Sequence, residues 1–385
     1  MNAPKSIALL PTGLHDLLPP DAAHEAAMIE RLMATFAAHG YDRVKPPLIE
    51  FEDSLLAGPG VATAQQTFRL MDPVSQRMMG VRGDITLQVA RIATSRLTNV
   101  ARPLRLSYAG QVLRVKGSQL RPERQFAQAG VELIGSAEPA ADTEMVLLAA
   151  EALNGLGVRR LSIDLTVPTL VTTLCLVSGL DAARTAALRA AADRRDADAV
   201  AAVGGAAAAL VIKLMAASGP AARALPLLAA LDLPGEAANA ERSRLAEVVR
   251  RVAAVDPTLQ LTIDPVEHRS FEYQTGVSFT LFAHGVSGEL GRGGRYRAGY
   301  DDPDGDPSTG FTLYLDTVLE AAPGPALARR VFLPLGVATA AGVRLRSEGW
   351  ITIAALGAVD DPAAEARRLG CGYVLLDGVP VSAEQ

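Results

Sequence analysis

The chain has 385 residues, of which 49% are hydrophobic and 21% are charged, so it is long enough for two or three domains with an ample core. Its formal net charge of -5 gives no overall attraction to nucleic acid. Since no long uncharged apolar stretch or secretory leader is visible, we expect a soluble, cytoplasmic protein that binds neither nucleic acid nor a membrane.

The first predicted element is an amphipathic helix. Asp21 is a plausible N-cap, apolar residues follow at helical spacing, and Gly40 ends the pattern.

The next segment, Tyr41 to Glu52, has an extended character, but a central strand would not tolerate Pro46-Pro47 within it. We therefore predict an edge strand, an element that often becomes a dimer contact.

Two strands and a helix are predicted in residues 54–100. The turn residues Met71-Asp72-Pro73 separate the strands, and the helix runs from about Thr86 to Thr98.

The most informative stretch is a second pair of strands that follows this helix. In the later strand Gln128, Gly130 and Glu132 alternate with apolar residues, which predicts one core face and one polar face. A small molecule with an ammonium group or an imidazole N–H would satisfy a buried Gln and Glu. The alternative is an ordinary amphipathic strand whose polar face contacts water.

The earlier strand, Arg105 to Arg114, ends with the permanently charged Arg114. This side chain is on the same face of the strand as a row of mostly apolar residues. An arginine in such a position usually holds an anion. The loop between the strands carries Lys116, Arg121 and Arg124, a composition typical of a phosphate or carboxylate clamp and equally of a solvated hairpin tip. The loop by itself does not decide between the two.

Helices and strands alternate in the rest of the chain. Residues 168–256 are rich in alanine and predict an inserted helical subdomain, while the tail predicts a small α/β module. We expect a larger domain over residues 1–325, which includes this insertion, and a second domain over residues 326–385. The other predicted elements are a helix over 142–154, strands over 160–165, 259–263, 271–282 and 310–315, a Gly-rich turn over 288–300, an acidic loop over 301–306, and short strands over 331–335, 351–356 and 373–376.

The residues that commonly hold metals show no suitable pattern. Cys175 and Cys371 lie far apart in apolar neighbourhoods, which predicts buried free thiols, and the five histidines lack metal-ligand spacing. We therefore predict no metal and no cofactor.

The order of motifs resembles the histidyl-tRNA synthetase family of class II aminoacyl-tRNA synthetases over roughly residues 7–320. The resemblance implies an α+β fold with an antiparallel sheet flanked by helices, and a dimer built by the segment around Pro46-Pro47. The motifs that carry it are Leu10-Pro11-Thr12-Gly13 with Asp16 and Pro19, Arg82-Gly83-Asp84-Ile85-Thr86, Arg114, the strand with Gln128 and Glu132, His268 to Tyr273, and Gly293-Gly294-Arg295-Tyr296.

The same resemblance implies a set of ligand-binding residues and no catalytic or metal residue. Asp84 and Thr86 would hold an α-ammonium group, and Arg114 a carboxylate or phosphate. The full set is Asp84, Thr86, Arg114, Gln128, Glu132, Arg269, Tyr273, Arg295 and Tyr296. Other interpretations remain open: the first two could cap a helix, Arg269 and Arg295 could be structural ion-pair partners, and the two tyrosines could be core aromatics.

Three positions depart from the synthetase pattern. Thr317 stands where the third class II motif has its arginine, Tyr314 where it has a glycine, and Lys116 where the second motif has a glutamate. Losing a cation that neutralises transferring phosphate should cost several kcal/mol of barrier. We infer that adenylation is lost, and the short tail lacks the basic, aromatic surface of an anticodon-binding module.

A retained pocket with broken chemistry resembles the synthetase-like family of ATP phosphoribosyltransferase regulatory subunits. That resemblance implies a homodimer that assembles with short-form catalytic subunits into a hetero-oligomer, namely a hetero-octamer. In this complex it would activate the catalytic subunits and mediate feedback inhibition of histidine biosynthesis by L-histidine. The alternatives are a divergent histidyl-tRNA synthetase or other aminoacyl-adenylate-forming enzyme, and a synthetase-like RNA-binding module.

Overall fold

A computed structural model describes residues 9–57, 64–117, 121–268, 273–299, 305–325 and 328–384. The chain divides into two compact units, Met1–Pro323 and Gly324–Gln385. None of the helices in these ranges is long and apolar enough to cross a bilayer.

The first unit contains two sheets. Its described strands are β1 (Asp42–Arg43), β2 (Ile49–Phe51), β3 (Arg69–Met71), β4 (Met78–Val81), β5 (Leu104–Leu113), β6 (Gln125–Ile134), β7 (Leu161–Thr166), β8 (Gly219–Pro220), β9 (Gln260–Ile263), β10 (Ser278–Ala283), β11 (Gly291–Ala298) and β12 (Asp306–Tyr314). Nine of them form the main sheet in the order β1-β5-β6-β12-β11-β10-β7-β9-β8, and the others form a small sheet in the order β2-β4-β3.

Helices accompany the main sheet. They are α1 (Asp21–Ala38), α2 (Glu52–Leu55), α3 (Thr86–Ser95), α4 (Pro139–Gly155), α5 (Leu170–Val177), α6 (Ala182–Asp193), α7 (Ala197–Val203), α8 (Gly205–Ala217), α9 (Ala221–Ala229), α10 (Glu236–Val255) and α11 (Leu315–Ala321). The run from α5 to α10 is interrupted by β8, which pairs with β9 at the sheet edge.

The main sheet is mostly antiparallel, as predicted. From β5 through β6, β12, β11 and β10 to β7, every neighbouring pair is antiparallel, and only the pairs β1 with β5 and β7 with β9 are parallel. This arrangement confirms the α+β fold class.

The alternation predicted for the polar strand is confirmed in β6. Val131 and Leu133 pack with α1 and α4 in the larger core, while Gln128 and Glu132 lie on the opposite face, among residues that pack against α3. Strands alternate their side chains, so a single strand contributes to a core on one face and to a cavity on the other. The two faces of the main sheet therefore have different roles.

The predicted edge strand is also confirmed. Strand β1 lies at one end of the main sheet and pairs in parallel with β5. The chain then leaves this sheet at Pro46-Pro47 and enters the small sheet at β2. Proline lacks the N–H that continued pairing would need, which explains the change of sheet.

The Gly-rich segment 288–300 corrects the sequence analysis, because the predicted turn contains strand β11 near the middle of the main sheet. The glycines are needed for close packing rather than for turning. A Cβ at Gly293 would overlap the ring of Phe279 and lie 2.6 Å from the carbonyl oxygen of Gly310. Glycine in a strand often marks such a close approach.

Two strands begin several residues away from their predicted starts. Strand β10 begins only at Ser278, and residues 273–277 have no regular structure; the predicted start at residues 271–272 lies outside the described residues. Strand β12 begins at Asp306, four residues before the predicted start, because it pairs along the whole of β11. Pairing partners, which the sequence does not reveal, set these limits.

The second unit is a small parallel sheet with one antiparallel edge strand. It contains β13 (Arg330–Leu333), α12 (Thr339–Ser347), β14 (Ile351–Ala354), α13 (Pro362–Arg368), β15 (Tyr373–Leu376) and β16 (Val379–Ser382), with strand order β14-β13-β15-β16. The sequence analysis missed β16. Its hairpin turn is Asp377-Gly378, where both residues have positive φ, as a two-residue hairpin turn of this kind requires.

We expect Gly293→Ala to lower the free energy of unfolding by about 1–3 kcal/mol, because the added methyl group overpacks the sheet against Phe279. Gly155→Ala is the matched control, since among the described residues nothing beyond its chain neighbours and its own helix backbone lies within 4 Å of the position that its methyl group would take at the end of α4. Urea denaturation followed by circular dichroism measures both variants. Equal stability of the two variants would contradict this account of β11.

Candidate functional site: a buried carboxylate in a polar cavity

A cavity of about 620 Å³ lies on the polar face of the main sheet. It is lined by residues from β6, β10, β11 and β12, from the start of α3, and from the loop between β5 and β6. Six of the nine predicted ligand-binding residues line it: Asp84, Thr86, Arg114, Glu132, Tyr273 and Tyr296. The structure thus brings together residues that are up to 212 positions apart in the sequence, from Asp84 to Tyr296.

Glu132 forms the most buried part of the cavity, with 1% of its surface exposed. Its Oε1 accepts a hydrogen bond from the Tyr108 hydroxyl (3.2 Å), and its Oε2 accepts one from the Tyr296 hydroxyl (2.9 Å). Gly310 lies directly opposite on β12, where any Cβ would overlap the carboxylate. The position of Glu132 therefore depends on the absence of a side chain at residue 310.

Burial raises the pKa of Glu132 to about 8, and the nearby charge of Asp84 also raises it. Hydrogen bonds from Tyr296, Thr86 and Tyr108 lower the pKa, but by less than burial raises it. A carboxyl group with this pKa is mostly protonated at neutral pH. A ligand with a cationic or N–H donor group would favour the ionised form and displace that proton.

Tyr108 and Thr312 are site residues that the sequence analysis missed. The fully buried Tyr108 hydroxyl is hydrogen-bonded to Thr312 Oγ1 (2.7 Å) and Thr86 Oγ1 (3.1 Å), in addition to Glu132. In the sequence, Tyr108 was one member of an apolar row. The available signal was Gly130, its cross-strand partner, where a Cβ would lie 2.6 Å from the Tyr108 oxygen.

Asp84 both accepts a backbone N–H at the start of α3 and lines the cavity. Its Oδ1 accepts the N–H of Thr86 (2.9 Å), and its Oδ2 accepts the side-chain amide of Gln128 (3.1 Å). Gln128 also accepts the N–H of Ile85 (3.2 Å) and is fully buried behind the cavity wall. Gln128 therefore orients Asp84 and the start of the helix, and lies outside the lining of the cavity.

Arg295 faces away from the cavity. Its Nε donates to Asp142 (3.0 Å), and its Nη groups donate to the carbonyl oxygens of Ser136 (2.8 Å) and Glu138 (3.1 Å) at the start of α4. This is the structural ion-pair role that the sequence left open. Since neighbouring residues of a strand point to opposite faces, Arg295 and Tyr296 cannot both face one cavity. Arg292 lines the cavity instead.

Arg269 lies outside the described residues. Tyr273, near it in sequence, lines the cavity and packs edge-to-face on Tyr296, with ring centroids 6.1 Å apart. Each tyrosine is thus both packed and part of the cavity wall, so the core interpretation and the ligand interpretation are compatible for these rings.

Cationic groups line another part of the cavity. The guanidinium of Arg114 lies 5.0 Å from the ring centroid of Phe126, and the exposed Lys116 also contributes to the lining. The cavity therefore combines a carboxylate and phenol cluster around Glu132 with a group of cations, a combination that suits a zwitterionic ligand.

Thr317 contributes nothing to the lining. Its buried hydroxyl donates to the carbonyl oxygen of Glu289 (2.7 Å), whereas Tyr314 does line the cavity.

Within the described ranges, no group of three or more His, Cys, Asp and Glu residues is placed to hold a metal ion. Both cysteines are free and buried, as predicted.

Comparison with known proteins gives concordant results. The model of the histidyl-tRNA synthetase family matches residues 13–318. The ATP phosphoribosyltransferase regulatory subunit of Rhodospirillum centenum is 63% identical over 373 residues, covering 97% of this chain and 96% of that protein. The protein of the same name from Paramagnetospirillum magneticum is 58% identical, with 96% of each chain covered.

Solved structures show the same fold. An ATP phosphoribosyltransferase regulatory subunit/histidyl-tRNA synthetase from Bacillus halodurans matches with a TM-score of 0.78 at 22% identity, covering 94% of this chain and 96% of that one. A histidyl-tRNA synthetase from Nostoc matches with a TM-score of 0.79 at 18% identity, covering 96% and 91%. The class II synthetase-like fold expected from the motifs is confirmed.

The raised pKa of Glu132 predicts a pH-dependent stability. The folded protein holds a proton that the unfolded chain releases near its ordinary pKa of 4.5, so this contribution to stability is lost as pH rises through about 8. We expect Glu132→Gln to be more stable relative to wild type at about pH 9 than at about pH 6. Melting temperatures of both proteins at the two pH values measure this difference, and an unchanged difference would contradict it.

Proposed function

Since the chain belongs to the ATP phosphoribosyltransferase regulatory subunits, a family with the histidyl-tRNA synthetase fold, we propose that it is non-catalytic, activates a short-form catalytic subunit and carries feedback inhibition by L-histidine. The observation that carries the histidine part is the buried Glu132 carboxylate between two phenols at the base of the cavity. We also propose that the chain forms a homodimer and that this dimer is part of a hetero-octamer in the cytoplasm.

Each charged group of histidine has a complementary group in the proposed site. Glu132 accepts the imidazole N–H, Asp84 and Thr86 hold the α-ammonium group, and Arg114 binds the carboxylate. Gln128 contributes through its hydrogen bond to Asp84. Tyr273 and Tyr296 enclose the ring, and Arg295 belongs to the scaffold rather than to the ligand set.

The surroundings of Thr317 support a non-catalytic role. Phosphoryl chemistry depends on cations that stabilise the charge of the transition state. Position 317 supplies a hydroxyl that is already hydrogen-bonded to Glu289, and the Tyr314 ring lines the cavity beside it. A divergent synthetase is the alternative function, since it would use the same proposed amino-acid site, but the relatives that are 63% and 58% identical bear the name of the regulatory subunit.

Two assays on the purified chain distinguish these functions. We expect no exchange of pyrophosphate into ATP in the presence of histidine, and we expect an increased rate when the chain is added to a short-form ATP phosphoribosyltransferase. A regulatory subunit gives the second result without the first. Histidine-dependent pyrophosphate exchange would identify a synthetase, and a failure to raise the transferase rate would refute the regulatory role.

The proposed histidine site predicts the effect of one substitution. Glu132→Ala removes a charge-assisted hydrogen bond worth about 1.5–3 kcal/mol, so histidine should bind about 10–150-fold more weakly in calorimetry. Glu247→Ala is the control, because Glu247 lies on α10 and outside the cavity lining, in an ion pair with Arg251. Unchanged affinity in Glu132→Ala would place the histidine site elsewhere, for example at a subunit interface.

A further inference from the structure

The cavity offers more room and a wider chemistry than one amino acid requires. Its volume of about 620 Å³ lies in the range that accommodates drug-sized ligands. Tyr314 lines the cavity and packs edge-to-face on Phe126, with ring centroids 6.0 Å apart, and the cations Arg114, Lys116 and Arg292 line the same cavity. Aromatic faces beside cations are the chemistry that binds a nucleotide by its base and phosphate.

The aromatic surface is already occupied by the chain itself. The guanidinium carbon of Arg121 lies 3.9 Å from the ring centroid of Tyr314 and 5.3 Å from that of Phe126. Only 8% of the Arg121 side chain is exposed, although it comes from the loop between β5 and β6. A planar cation over two rings takes the position that a planar base would need.

The Arg121 guanidinium is also fixed by charge and hydrogen bonds. Its Nε lies 3.2 Å from Asp316 Oδ2, and its Nη2 donates to the carbonyl oxygen of Glu289 (2.9 Å). The same carbonyl accepts the hydroxyl of Thr317 (2.7 Å). A buried arginine with an acidic partner and a carbonyl acceptor has its charge compensated within the protein, and little remains for a phosphate.

We propose that Arg121 is a specificity-determining residue that excludes nucleotides from the cavity, so that the site responds to an amino acid alone. This inference rests on the proposed function, since a subunit that reports histidine to an ATP-consuming enzyme must not respond to ATP. The Glu132 cluster is separate from the contacts of Arg121, so exclusion of a nucleotide leaves the amino-acid part of the cavity accessible.

The test uses adenosine monophosphate as the probe and the full chain in isothermal calorimetry. Wild type should show no saturable binding, whereas Arg121→Ala should bind with an affinity at least about tenfold above the wild-type limit, the contribution expected from one stacked base. Adding Tyr314→Ala to Arg121→Ala removes the ring on which the base would stack, so the double variant should lose most of the gained affinity. Guanidinium ion at millimolar concentration should displace the probe from Arg121→Ala.

Arg124→Ala is the matched control, because Arg124 belongs to the same loop and lies over Phe68 outside the cavity lining (5.2 Å to the ring centroid). It should not bind the probe. Saturable binding of adenosine monophosphate to wild type overturns the proposal. So does an Arg121→Ala protein that keeps the native circular dichroism spectrum without admitting the probe. None of these outcomes depends on transferase activation, so the regulatory role is tested separately.

Discussion

The structure depends above all on the burial of one carboxylate between neighbouring strands of the main sheet. Glu132 on β6 receives hydroxyl groups from Tyr108 on β5 and Tyr296 on β11, and it meets a bare backbone at Gly310 on β12. Burying a carboxyl group is unfavourable unless hydrogen bonds compensate for lost water. Four strands must therefore be in correct register before this group has its partners, which links the formation of the sheet to the formation of the cavity.

The division of the sheet into two faces followed from the sequence, because alternation in β6 is a local property of the chain. The register between neighbouring strands could not be predicted from this local pattern. The position of Tyr108 opposite Gly130, and of Gly310 opposite Glu132, is decided by partners on other strands. For the same reason the glycines of β11 suggested a turn, although they allow close packing inside the sheet.

The candidate site was predictable to the extent that its residue types were informative. Acids, phenols and an arginine in ordered motifs indicated a cavity for a charged ligand, and six of the nine proposed residues line it. Sequence could not distinguish a residue in the wall from one behind it: Gln128 supports Asp84 from the interior, and Arg295 stabilises the start of α4. Assigning β11 as a strand would have separated Arg295 from Tyr296 by parity alone.

The carbonyl oxygen of Glu289 limits which residues position 317 can accept. It already accepts hydrogen bonds from Arg121 and Thr317. Placing an arginine at position 317 would bring a second guanidinium to the same acceptor, beside a ring at position 314 that the first one covers. An arginine at position 317 would therefore need accompanying changes at positions 121 and 314.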